Sequence, residues 1–227
     1  MSIQAVLFDL DNTLTHRDKS IYRYAHDLAQ SYQMSLDANL LTQIIQIIQR
    51  IDQGGYPKKE MLTHKSIGTS VAYALLNEVD WKIKPSLEEL SQFWFERFGK
   101  NSVAMDGAEN LLRTLKKLNL KLAIISNGGH ATRLTILKGL GFEHYFDIIM
   151  SSEKMGVSKP NAEIFTHTCQ LLNVKPENCL FVGDHPINDI RGANCAGLHT
   201  LLLTGFHFSN DDVGFKISHL NEVLDFI

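Results

Sequence analysis

The sequence predicts an α/β protein in which a parallel sheet is covered by helices on both faces, giving three layers, and an all-helical domain is inserted near the start. Two observations predict the sheet and a third predicts the insert. Short apolar runs recur along the chain as continuous stretches rather than alternating ones, as expected of strands buried on both faces. Helical periodicities separate these runs, and strand, helix, strand alternation implies a parallel sheet. The interval from 16 to 105 breaks the alternation, holding no comparable apolar run and showing helical periodicity instead. With 227 residues, 44% of them hydrophobic, the chain can build one generous core plus a small second unit and is too apolar to stay disordered.

The elements follow in order. Ala5, Val6, Leu7 and Phe8 make a buried strand that ends at Asp9. In the insert, 38–51 carries Leu40, Leu41, Ile44, Ile45, Ile47, Ile48 and Ile51, an apolar face wide enough to pack on more than one side in a bundle. Gly54-Gly55-Tyr56-Pro57 ends that helix. Helical stretches follow around 60–79 and 86–98, the second opened by Pro85-Ser86 with Glu88 and Glu89 in its first turn. The sheet domain, 1–15 and 106–227, resumes with a helix marked by Ala108, Leu111, Leu112, Leu115 and Leu118. Strands are then expected at 121–126, 178–184 and 199–203, with a weaker one at 146–151 and a helix through Ile164, Phe165, Thr168 and Leu172.

Charge and cysteine usage narrow the function classes. Lys plus Arg number 22 against 25 Asp plus Glu, so the net charge of −3 leaves no basic surplus for neutralising nucleic-acid phosphates. The insert carries 11 basic and 10 acidic residues, which places the acidic excess in the sheet domain. Cys169, Cys179 and Cys195 are too few, and odd in number, for a disulfide framework and show no metal-ligand spacing. No apolar run approaches the roughly 20 residues of a membrane helix, and no leader pattern opens the chain. A cytoplasmic protein with neither a membrane nor a nucleic-acid partner is expected.

In parallel sheets the ligand site lies beyond the carboxyl ends of the strands. There the sequence places Asp9-Leu10-Asp11-Asn12-Thr13, Ser126-Asn127-Gly128-Gly129 and Gly183-Asp184-His185-Pro186-Ile187-Asn188-Asp189, with Ser158-Lys159-Pro160 ahead of a helix. Each segment alone reads as a turn or cap, and Lys159 alone as a solvated charge. Together they bring four carboxylates, one ammonium and one hydroxyl to one sheet edge, where like charges are costly and a cation is required. Oxygen-only ligands favour a hard ion such as Mg²⁺. With metal bound, a carboxylate can attack phosphorus, while Lys159 and Ser126 neutralise the transferring phosphoryl oxygens. The backbone N–H groups of the 126–129 turn, which opens toward a helix near His130, are candidate anion donors.

These segments resemble the four motifs of the haloacid dehalogenase (HAD) superfamily. DLDNTLT resembles motif I, Ser126 motif II, Lys159 motif III and GDHPIND motif IV, in the family's order and spanning residues 9 to 189. DIRGANCAGLHTLLL is similar to the family's final helix and strand. The resemblance implies a Rossmann-like core, with residues 16–105 as a helical C1 cap of the subfamily IA kind. It implies a Mg²⁺-dependent phosphatase acting on a small phosphorylated metabolite through an aspartyl phosphate.

By the same likeness Asp9 is the nucleophile, and Asp11 protonates the leaving oxygen and then deprotonates the attacking water. Mg²⁺ would be held by Asp9, the Asp11 backbone carbonyl and Asp184, with Asp189 placing a metal-bound water or supporting that shell. Ser126 and Asn127 would touch the transferring phosphoryl, Lys159 would pair with it and with Asp9, and Thr13 would shape the loop. The cap would close over the site on hinges near 15–18 and 100–106. Arg17, Arg50, Tyr56, Lys58 and Lys59 are conceivable substrate contacts in it, although charged side chains of this kind are ordinarily surface residues. His130 and His185 belong to the rim of the site. The chain departs from many relatives at Ala162, where they carry Pro, and at His185-Pro186, where they carry Thr or Ser after the Asp.

Other readings use the same residues. A dehalogenase is disfavoured by Asp11 and the full acidic motif IV. A phosphonate hydrolase needs a Schiff-base lysine in the cap, for which Lys58, Lys59, Lys65, Lys82 and Lys84 are available. A phosphosugar mutase shares the Asp9 and Asp11 pair, and a receiver-like switch would keep its aspartyl phosphate. A partner-binding protein with vestigial chemistry fits poorly with a complete residue set.

Overall fold

Ala5, Val6, Leu7 and Phe8 are wholly buried, and the strand they form, β1 (Ala5–Phe8), organises the computed structural model, which describes residues 2–207 and 214–227. Four helices follow: α1 (Arg17–Ser31), α2 (Ala38–Asp52), α3 (Ile67–Glu78) and α4 (Leu87–Arg97). Next come α5 (Ala108–Lys117), β2 (Lys121–Ser126), α6 (His130–Leu140), β3 (Ile148–Ser151), α7 (Ser152–Met155) and α8 (Ala162–Leu172). The remainder comprises β4 (Cys179–Gly183), a π-helical turn at Pro186–Arg191, α9 (Gly192–Cys195), β5 (His199–Leu203) and β6 (Phe215–Ile217).

The six strands form one sheet in the order β3-β2-β1-β4-β5-β6, every pair parallel. Side chains on a strand alternate between faces, and here both faces are apolar. Val6 and Phe8 join Leu122, Ile124, Leu180 and Val182 under Leu111, Leu112 and Leu115 of α5 and Ile136 and Leu137 of α6. Ala5 and Leu7 join Ala123, Ile125 and Phe181 under Ile164, Phe165, Cys169 and Leu172 of α8. Burial of each large aliphatic side chain contributes roughly 1.5–3 kcal/mol, so the continuous apolar runs are the strongest determinant of this unit. Strand β6 was not anticipated, because three residues with exposed Phe215 and Lys216 carry no apolar run. The three cysteines are free.

The register aligns the functional edge. Phe8 stands opposite Ile124 on one side and Val182 on the other. Asp9, Ser126 and Asp184 therefore leave the sheet within one residue of the same level.

The chain divides into two compact units, Met1–Thr15 with Ala104–Ile227, and His16–Val103. The second starts where the insert is expected to start but ends two residues earlier. Ala104 and Met105 belong to the sheet unit because Thr15 and Ala104 form an antiparallel bridge and the Met105 N–H donates to the Leu14 carbonyl at 2.8 Å.

Unit His16–Val103 is built from α1 to α4. In α1, Ile21, Tyr24, Ala25 and Leu28 recur at i, i+3, i+4 and i+7 and bury one face. In α2, Leu41, Ile44, Ile47, Ile48 and Ile51 do the same. Asp37 caps α2 by accepting from the Leu40 N–H at 2.9 Å. Ser86 and Glu89 form a reciprocal capping box on α4. Helix α3 starts at Ile67 rather than near 60, since Ser66 caps it and Lys59–Met61 is a separate 3-10 turn. Trp94 stacks on Phe98 at 4.4 Å, and any Cβ at position 68 would overlap its indole, which accounts for Gly68.

The basic residues weighed as substrate contacts have other surroundings. Arg17 is buried, pairs through two nitrogens with the buried Asp52 at 2.7 and 2.5 Å, and lies 5.0 Å from the Phe98 ring centroid. Arg50 pairs with Glu78 on the surface. Lys58, Lys59, Lys65, Lys82 and Lys84 are all exposed, whereas a Schiff-base lysine requires a buried, activated amine. Among the described residues no helix is long and apolar enough to cross a membrane.

Candidate active site

Strand β1 ends by donating the Asp9 N–H to Val182 at 2.9 Å, which fixes the Asp9 side chain just beyond the sheet. The loop then turns through Asn12 in the left-handed region, and the Leu14 and Thr15 N–H groups both return to the Leu10 carbonyl. Thr13 is buried in this turn, its hydroxyl without a hydrogen-bond partner.

Lys159 enters from the loop before α8. Its ammonium is wholly buried, 2.5 Å from Asp9 Oδ1 and 2.6 Å from Asp189 Oδ1, and 5.5 Å from the Phe181 ring centroid. Burial alone would lower the Lys159 pKa, but the charges of Asp189 and Asp9 outweigh it and raise the value. Asn127 holds the backbone behind this lysine, accepting from the Lys159 N–H at 2.9 Å and donating to its carbonyl at 3.1 Å. The Asn127 side chain thus serves to place Lys159, a use that the motif order does not reveal.

Asp189 is engaged at both oxygens, by Lys159 and by the His185 N–H at 3.0 Å. It lies directly over Gly183, where a Cβ would come within 2.5 Å of the Asp189 carboxyl carbon. His185 accepts the Ile187 and Asn188 N–H groups at 3.1 Å through Nδ1, so its ring caps the π-helical turn that presents Asp189.

Asp9, Asp184 and Asp189 each offer an oxygen within 4.8 Å of the others. Burial pushes the Asp9 carboxyl well above the usual carboxylate range; Lys159 opposes this, and Asp189, Asp184 and Asp11 add to it. Burial pushes Asp184 up to about 6, with His207 opposing and Asp189 adding. Asp9 Oδ2 and Asp184 Oδ1 are buried and accept no hydrogen bond. Buried oxygens without donors, in a cluster whose charges repel, are what a hard cation satisfies, so the residues present fit a divalent ion.

Two neighbours escaped sequence reasoning. His207 Nε2 stands 3.3 Å from Asp184 Oδ2, and its pKa is raised by that contact. It lies four residues past β5, so the loop after the fifth strand could have been read as the others were. Arg133, buried in α6, places Nη1 2.6 Å from Asp11 Oδ2, 3.1 Å from Ser126 Oγ and 3.0 Å from the Asn127 carbonyl. Nothing in its local sequence distinguishes it from a solvated helix residue.

Within the 126–129 turn, expected to offer its N–H groups to an anion, one donor is already committed. The Gly128 N–H donates to Ser152 Oγ at 2.9 Å, and the His130 N–H donates to Glu153 Oε2 at 2.7 Å. Residues at the start of α7 therefore occupy these donors, and His130 Nδ1 lies 3.2 Å from Ser151 Oγ.

The profile of the haloacid dehalogenase-like hydrolase family matches residues 3–197. The glyceraldehyde 3-phosphate phosphatase of Methanopyrus kandleri is 36% identical over 123 residues, covering 51% of this chain and 53% of that protein. Mouse haloacid dehalogenase-like hydrolase domain-containing protein 3 is 37% identical over 44% of this chain and 40% of its own length. The chain thus spans about half or less of the first curated relatives it matches. The orthorhombic crystal structure of YfnB from Bacillus subtilis bound to magnesium superposes with a TM-score of 0.77 at 24% identity, covering 100% of this chain and 99% of that one. The α/β Rossmann-like fold is shared, and the chain belongs to the haloacid dehalogenase-like hydrolase family.

Proposed function

From that membership and the geometry at Asp9, we propose that the protein is a phosphatase that hydrolyses a small phosphomonoester through a phosphoryl group carried on Asp9, with Mg²⁺ as cofactor. The carrying observation is the state of the Asp9 carboxylate, one oxygen held by a buried lysine and the other buried without a donor. Such a carboxylate is fixed in direction, as a nucleophile requires, and a bound cation would keep it ionised against the effect of burial.

In the first step an Asp9 oxygen forms a bond to phosphorus as the bond to the ester oxygen breaks, and Asp11 gives that oxygen a proton. In the second, Asp11 takes a proton from water as the water oxygen attacks phosphorus, and the bond to Asp9 breaks to release phosphate. Lys159 and the Ser126 hydroxyl stabilise the equatorial oxygens in both steps. Asp9, the Asp11 carbonyl and Asp184 would hold Mg²⁺, while Asp189 supports the shell and anchors Lys159. The bound cation supplies charge neutralisation, so two anions can approach each other. The His16–Val103 unit is read as the cap that selects the substrate.

The glyceraldehyde 3-phosphate phosphatase among the relatives supports a small phosphorylated substrate class for this chain. The test is phosphate release from a panel of small phosphomonoesters with and without Mg²⁺, with Asp9→Asn as control. Turnover that needs both Mg²⁺ and Asp9 is expected. Undiminished turnover by Asp9→Asn would overturn the mechanism, and a lasting aspartyl phosphate would indicate a switch instead.

A further inference from the structure

Arg133 carries a buried charge that the mechanism leaves unused. Arg133 is 6% exposed, and a single nitrogen of its guanidinium touches Asp11, Ser126 and the Asn127 carbonyl. A buried guanidinium is costly unless paired, and here its pairing is with two groups assigned to the chemistry. Room for it is made by Gly128, at φ +130°, where a Cβ would stand 3.2 Å from the guanidinium carbon.

We propose that Arg133 is a positioning residue that aims the Asp11 carboxyl at the leaving oxygen and the Ser126 hydroxyl at the phosphoryl group. Asp11 sits in a loop that passes through the left-handed Asn12, and a short carboxylate side chain there can rotate about two bonds. The contact at 2.6 Å fixes Oδ2 and with it the direction of the other oxygen. Arg133 Nη1 donates to Ser126 Oγ at 3.1 Å, so the hydroxyl proton is turned away from the guanidinium and toward an incoming anion. One side chain thereby couples the acid from the β1 loop to the hydroxyl at the end of β2. Arg133 acts through Asp11 and Ser126 and does not itself touch the reacting atoms.

The inference rests on the proposed phosphatase mechanism, and its test separates the two. kcat/KM is measured for wild type, Arg133→Met and Arg133→Lys with an alkyl phosphomonoester and with p-nitrophenyl phosphate, whose leaving group needs little protonation. Positioned general acids contribute ~10²–10⁴-fold, so Arg133→Met should lose ~10- to 100-fold on the alkyl ester and only a few-fold on the nitrophenyl ester. Arg133→Lys should recover part of the alkyl-ester loss, and inhibition by inorganic phosphate should weaken only a few-fold, in step with the loss on the nitrophenyl ester as Ser126 loses its aim. Equal losses on both esters, or a weakening of phosphate inhibition alone, would overturn the assignment. If Arg133→Met does not fold, the same comparison made with Arg133→Lys decides it. Absence of any turnover by wild type would instead reject the phosphatase reading itself.

Discussion

Lys159 and Asp189 form an ion pair 2.6 Å long in which neither side chain has any solvent exposure. The same ammonium reaches Asp9, so one lysine separates two carboxylates that would otherwise repel. Removing one partner of a buried pair costs ~3–5 kcal/mol. Lys159→Met should therefore lower unfolding stability by about that amount in metal-free buffer. Added Mg²⁺ should stabilise the variant more than wild type, because the cation then faces uncompensated charge. Denaturant unfolding at two Mg²⁺ concentrations checks both statements.

Gly183 is set by the carboxylate above it. Gly183→Ala would drive a methyl group into the Asp189 carboxyl, for which the clearance is 2.5 Å. Overpacking of this kind costs ~1–3 kcal/mol. The displaced Asp189 would also release Lys159, so activity should fall further than stability alone explains. Thermal melts and phosphate-release rates on the same preparation measure the two effects.

The orphaned oxygens of Asp9 and Asp184 predict coupling between metal and folding. A ligand that binds only the native state at 100 times its Kd stabilises by about 2.7 kcal/mol. Mg²⁺ should raise the melting temperature of wild type and have little effect on Asp184→Asn. An equal rise in both would remove Asp184 from the metal site.

Acid should weaken the cap of α2. The Leu40 N–H and then the Ser35 hydroxyl hold the Asp37 carboxyl below the usual range. A group whose folded pKa is depressed contributes stability above its unfolded pKa, and that contribution is lost as pH falls through the folded value. The melting-temperature gap between wild type and Asp37→Ala should be largest near neutral pH and shrink as Asp37 is protonated. A gap independent of pH would mean that the carboxylate charge has no part in the cap.

Much of the fold is legible because the determinants are local and strong. Continuous apolar runs mark β1, β2, β4 and β5, and Ser86 with Glu89 marks the start of α4. The site residues are legible for a related reason, since Asp9, Ser126 and Asp184 attach directly to strand ends whose level the sheet imposes. What stays hidden depends on pairing across long sequence separations. Arg133 has the composition of a solvated helix residue until α6 is docked on the sheet, and Arg17 looks like a surface charge until Asp52 is beside it. The N–H groups of Gly128 and His130 look available until Ser152 and Glu153 arrive at the start of α7.

The bond between Leu14 and Met105 bears on how this gene could change. Since the chain leaves and rejoins the sheet unit at points held side by side by a short antiparallel bridge, everything between them can be treated as a cassette. Its length can grow at a cost that rises only slowly, as (3/2)RT ln n, while the closure that sets Leu14 beside Met105 stays the same. Recombination at these two positions is thus a route by which an unchanged reaction centre could acquire a different clientele.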